Sequence, residues 1–180
     1  MKIKATLFSF SAFFLLLTLM VSGQETSVLR PEVRDVPAFA YFCLHHKGPI
    51  SDIQDVIGRL IQAMKNQNLY PTGPMVGIYF THPEATKPED MEWEVGFPVM
   101  DQTIVQSPLE KNEWSYTMVA TAMHVGPYEA AHQTIQDLMT WMEKTGYVID
   151  GPVMERYLNN PMQVKPEELR TEIWIPCRKK

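Results

Sequence analysis

Three observations predict an α+β fold made of two strand-helix-strand-strand units related by a pseudo-twofold axis. Residues 46–98 repeat at 124–176 without a gap, at a constant offset of 78, and about 15 of the 53 aligned positions are identical. Each copy holds one apolar stripe at helical spacing. Each copy then closes with two short strand-like stretches joined by a Pro-containing loop. Two copies of this size describe one fold with internal symmetry, since a solenoid needs at least three stacked units.

The apolar, aromatic-rich run Phe39–His45 reads as the first strand, broken by Gly48-Pro49. Ile53, Val56, Ile57, Leu60, Ile61 and Met64 then recur at the i, i+3, i+4 spacing of an amphipathic helix. Ser51 is its expected N-cap, with Asp52 in the first turn to suit the helix dipole. Pro71, beyond the stripe, does not continue a helix. In the second copy Ala131, Thr134, Ile135, Leu138, Met139 and Met142 occupy the same helical positions, and Gly146 offers a C-terminal stop. Strands near 74–80 and 152–158 follow, then final strands near 92–98 and 170–177. Glu92-Trp93-Glu94-Val95 and Arg170-Thr171-Glu172-Ile173 alternate as a sheet with one wet face does. The repeats span 36–99 and 114–177. Residues 100–115 read as a linker and 24–35 as a polar lead-in without structure.

Lys2, Lys4, the apolar run Leu7–Val21 and the small residues Val21-Ser22-Gly23 form a secretory signal pattern, so residues 1–23 are set apart from the fold. The run is short for a membrane span. A periplasmic or secreted protein, with no stable membrane anchor after cleavage, is expected. Removing two lysines takes the formal charge from −5 to −7. No basic patch is left, which argues against nucleic acid and anionic membranes as partners. Export leaves a Cys43–Cys177 disulfide open, while a cysteine on a strand also serves as a small hydrophobe. No ligand spacing for a metal is present, and neither a metal nor a cofactor is expected.

The copies differ at four informative places: Glu155 lies over Gly77, Trp174 over Gly96, Trp141 over Ala63 and Tyr128 over Ile50. Strand alternation puts Glu155 with Tyr157 on one face, and Glu172 with Trp174 on one face. Period alone does not say which face is inner. A carboxylate among aromatics, opposite glycines that leave space, suits a cavity for an organic cation through charge pairing and cation–π attraction. A solvent-facing glutamate and a core tryptophan are the alternatives. His46 and His124, shared before each Gly-Pro, read as turn hydrogen bonds. No nucleophile with an activating base is indicated.

His124-x-Gly126-Pro127-Tyr128, the helix ending at Gly146, Gly151-Pro152-x-x-Glu155-x-Tyr157, Asn160-Pro161, Pro166-Glu167-Glu168 and Thr171-Glu172-Ile173-x-Ile175-Pro176 resemble the GyrI-like small-molecule-binding family. That family includes the effector-binding domains of AraC-type and MerR-type multidrug regulators. The resemblance covers roughly residues 36–177, within an effector-binding domain of 36–180. It implies a groove at the pseudo-twofold, an antiparallel sheet packed with two long helices, and a hydrophobic, often cationic, aromatic ligand. It implies that Glu155 is the acidic contact. Strand alternation and the differences between the copies add Tyr157, Tyr128 and Gly77 as candidate ligand-binding residues, with Trp174 or Trp141 as further aromatic surface. Leu169 stands where some members carry a ligand-contacting tyrosine. Residues 1–35 are too few for a helix-turn-helix domain. An exported, stand-alone binding protein is therefore expected, with a small organic ligand and no identifiable protein partner. Two other functions stay open. One is a hydrolase of reactive cyclopropanoid-type molecules using Glu155 with Tyr157 or Tyr128. The other is haem or tetrapyrrole binding, as in the related SOUL fold.

Overall fold

The computed structural model describes residues 31–81 and 86–180. The signal-peptide segment and most of the lead-in lie outside the described residues. In chain order the elements are β1 (Glu32–Asp35), β2 (Phe39–Lys47), α1 (Ile53–Asn66), β3 (Met75–Tyr79), β4 (Glu92–Pro98), β5 (Glu110–Trp114), β6 (Met118–Val125), α2 (Ala131–Lys144), β7 (Tyr147–Ile149), β8 (Val153–Tyr157) and β9 (Arg170–Lys179). The order strand, helix, strand, strand thus occurs from β2 and again from β6, with β7 added in the second unit.

One antiparallel, unclosed sheet runs β1-β6-β9-β8-β3-β4-β2-β5, with β7 on the end of β9. Its middle pair, β3 and β8, places Gly77 opposite Glu155, Met75 opposite Tyr157 and Tyr79 opposite Val153. Those are the pairs that an offset of 78 exchanges, so the pseudo-twofold axis passes between Gly77 and Glu155.

Both helices lie on the same face of the sheet. α1 packs on β2 and β4 through Val56, Leu60 and Ala63, against Phe42, Trp93 and Val95. α2 packs on β6 through Leu138 and Met142, against Ala120, Ala122 and Ile173. Neither covers the middle pair. The α1 stripe therefore divides: Val56 and Leu60 go to the core, while Ile53, Ile57 and Ile61 turn towards the space between the helices. On the other face the sheet curls until Phe39 on β2 and Trp114 on β5 each come within 6.5 Å, ring centre to ring centre, of Trp174 on β9. Tyr41, Cys43, Val76, Ile78 and Met154 fill that second core.

Local signals explain the turns. Each helix is entered through a single 3-10 turn, Ile50–Asp52 or Tyr128–Ala130, begun by Pro49 or Pro127. Ser51 lies inside the first of these turns instead of capping α1. The residue at the cap is Asp52, whose carboxylate holds His46 Nε2 at 3.0 Å. His124 does the equivalent work through the Pro127 carbonyl (2.9 Å) and Thr134 Oγ1 (3.0 Å), which accounts for the polar residue in the α2 stripe. After the helices the chain turns through a left-handed residue, Gly146 (φ +83°) in one unit and Asn68 (φ +52°) at the same place in the other. Glycine and asparagine tolerate that conformation best.

Two expectations are corrected. The lead-in is not wholly without structure, because Glu32–Asp35 pairs with β6 as an edge strand. The linker 100–115 contains β5, which pairs with β2. The disulfide left open by the sequence is not formed: Cys43 and Cys177 are both free. Three strands, β8, β3 and β4, separate β2 from β9, and the two thiols belong to cores on opposite faces.

Candidate ligand-binding groove

Between α1 and α2, over the bare middle of the sheet, runs an open groove of about 1530 Å³. Its α1 wall carries Ile53, Ile57 and Ile61, its α2 wall Ile135 and Met139, and its floor Met75, Tyr79, Val153, Glu155 and Tyr157. Drug-sized sites are commonly about 300–1000 Å³, so the groove admits a ligand with room at the ends. Ile50, Phe80, Ile149, Leu158 and Met162 are exposed apolar residues that also line it.

Glu155 is a carboxylate beside the axis. Its Oε2 accepts a hydrogen bond of 2.7 Å from the Tyr157 hydroxyl and lies 3.4 Å from that of Tyr79, and the two hydroxyls are 3.0 Å apart. Tyr128, from the turn before α2, sets its ring edge-on to Tyr157 at 5.3 Å. Among the described residues no Lys, Arg or His forms an ion pair with Glu155. Burial holds its carboxyl above the usual carboxylate range, although the hydrogen bonds from Tyr157 and Tyr79 favour the charged form. Burial raises the Tyr79 and Tyr157 phenols well above their ordinary value, and it raises Tyr128, with the Glu155 charge adding to each.

Gly77 is at the site but leaves no empty space for a ligand. A Cβ there would lie 3.0 Å from both the Tyr79 and the Tyr157 hydroxyl oxygens. The missing side chain is what lets two tyrosines meet over the axis beside Glu155.

Of the six residues singled out by sequence, the structure brings together Glu155, Tyr157, Tyr128 and Gly77. Trp174 is on the opposite face: register pairs it with Met154 and Thr121, and strand alternation turns it away from the groove. There the Arg34 and Arg156 guanidiniums lie over its ring at 5.3 and 4.3 Å, and both pair with Glu172. Trp141 sits outside the groove, stacked on Tyr147 with rings 6.5 Å apart and 9° from parallel. Leu169 is buried and adds no groove surface. Glu94, the counterpart of Glu172, is enclosed on the inner face by Tyr41, Asn112 and His45. Sequence reasoning missed Tyr79, Met75 and the groove-facing isoleucines. Tyr79 carried a signal, being identical to Tyr157 at the offset of 78, but identity between copies is ordinarily a mark of framework and not of a site.

The model of the GyrI-like small molecule binding domain matches residues 30–178. The chain belongs to the GyrI-like small-molecule-binding family. Comparison with curated protein sequences gives no match. Among solved structures, the EcmrR C-terminal domain superposes with a TM-score of 0.72 at 20% identity, covering 84% of this chain and 98% of that one. Against EcmrR in its DNA complex the coverage is 84% of this chain and 58% of that one, with a TM-score of 0.74 at 20% identity. A hydrolase from Listeria innocua gives 0.60 at 19%, covering 83% and 92%. SAV2435 bound to tetraphenylphosphonium gives 0.57 at 12%, covering 83% and 94%. These likenesses establish the GyrI-like fold, and membership makes this a small-molecule-binding domain.

Proposed function

We propose that this GyrI-like protein is an exported binding protein for a hydrophobic, aromatic organic cation, held in the groove with Glu155 as its counter-charge. One observation carries the reading. Among the described residues Glu172 has two guanidinium partners on one face of the sheet, but Glu155 has none on the other. A partly desolvated carboxylate without a cation is costly. A cationic ligand removes that cost, and tyrosine rings with aliphatic walls suit its aromatic surface. The lysine-led apolar segment Leu7–Val21 supports export.

Tetraphenylphosphonium, the ligand of one fold neighbour, is a suitable probe. Calorimetry of wild type and Glu155→Gln should show the variant weaker by about 1–3 kcal/mol, the scale of a lost charge contact. Neutral triphenylphosphine oxide should change little. Equal binding of the cation by both proteins removes Glu155 from the role.

A second reading, hydrolysis of strained reactive molecules, is favoured by the raised Glu155 carboxyl 2.7 Å from the Tyr157 hydroxyl, an acid/base pair in the groove. Hydration of a cyclopropane-containing electrophile, followed by mass and lost in Glu155→Gln, is its test. Absence of turnover rejects it.

A further inference from the structure

The two oxygens of Glu155 are not equivalent. Both tyrosine contacts fall on Oε2, and among the described residues Oε1 takes no hydrogen bond. Among the described residues the buried polar side-chain atoms without a partner are Arg34 Nε, Trp114 Nε1, Thr171 Oγ1 and Trp174 Nε1. Oε1 is not one of them, so it keeps contact with solvent, and the groove is the opening beside it. The carboxylate is thus held by one edge and presents the other.

We propose that the groove selects protonated amines, aromatic amines bearing at least one N–H, over quaternary cations of the same size and charge, because Oε1 is a free acceptor on a residue that lines the groove. The proposal rests on the cation-binding reading and narrows it. When any ligand covers Glu155, Oε1 loses its water. A quaternary cation returns only Coulomb attraction, and its methyl groups keep the charge at a distance. An ammonium N–H returns a short charge-assisted hydrogen bond, which also replaces the water bond that the ammonium itself gives up. Oε2 cannot serve instead, since the Tyr157 and Tyr79 hydroxyls crowd it. Tyr128, whose phenol feels the Glu155 charge, offers a ring beside that opening. The amine substituents have the apolar walls at Ile57, Ile135 and Met139 to fill.

A matched pair tests this: 1-naphthylmethyl-dimethylamine, protonated at neutral pH, and its N-methyl quaternary salt. Calorimetry with the exported wild-type protein should find the amine bound about tenfold more tightly, the size of one charge-assisted bond less the added burial of a methyl group. In Glu155→Gln both should weaken and the preference should shrink to about twofold or less. If the quaternary salt binds as tightly as the amine while both respond to Glu155→Gln, the amine selectivity is overturned and the cation reading survives. If neither responds to that substitution, or neither binds, both fall. The wild-type ordering of the pair decides the selectivity even where the variant folds poorly.

Discussion

Replacing Glu155 by Gln separates the cost of its charge from the value of its hydrogen bonds. Oε2 accepts one good hydrogen bond, from Tyr157 at 2.7 Å, while the Tyr79 contact at 3.4 Å is long. A glutamine oxygen in the same place keeps the Tyr157 bond and loses only its charge assistance, about 1 kcal/mol. Against that stands the desolvation of the carboxylate, the larger influence, since the net displacement of its pKa is upward. A carboxyl whose folded pKa is raised is fully compatible with the fold while protonated. It costs stability as pH rises above the ordinary carboxylate range through the folded value. Glu155→Gln should therefore match wild type near pH 3.5 and exceed it near pH 7. The gain should be about 1 kcal/mol, kept small because groove water still reaches Oε1. Thermal unfolding should show a rise of roughly 2–4 °C at neutral pH. Saturating tetraphenylphosphonium should reverse the order, because the ligand stabilises the form that binds it best. A variant less stable than wild type at pH 7 without ligand would mean that the carboxylate charge is already compensated, and the argument for a cationic ligand would fail.

Gly77→Ala should lower thermal stability by about 1–2 kcal/mol and weaken cation binding. A methyl group 3.0 Å from both tyrosine hydroxyls must push them apart, and overpacking at such contacts costs on that order; unchanged binding would show that the tyrosine pair does not position Glu155. Cys43 is fully buried and its thiol is pushed far up, first by burial and then by the Glu94 charge. Thiol labelling of the native protein should be slow at Cys43, with two thiols counted after denaturation without reductant; a count of zero would show a disulfide. N-terminal sequencing of the exported protein should begin near Gln24, and an intact Met1 in a membrane fraction would remove the export reading.

Repetition at a fixed offset and helical periodicity are local properties, and they were enough to read the α+β class, the strand-helix-strand-strand order and the two helical stripes. The motifs of the second copy likewise carried the family, and the Glu155/Gly77 difference pointed to one residue of the groove. The histidine turns were legible for the same reason, since His46 and His124 bond within a few residues of themselves. The short edge strands escaped notice because β1 and β5 are ordered by pairing with distant strands and not by their own pattern.

What the sequence determined by itself was which residues lie on the same side of each strand, because alternation is fixed by the backbone. What only the tertiary structure decided was which side faces the groove. Glu155 and Trp174 both differ between the copies and both look like site residues, yet adjacent antiparallel strands put them on opposite faces, one in the groove between the helices and one inside the curl of the sheet. Tyr79 shows the converse. Residues repeated in both copies are ordinarily framework, but here the pseudo-twofold axis runs through the site, so a repeated tyrosine arrives there twice, from β3 and from β8.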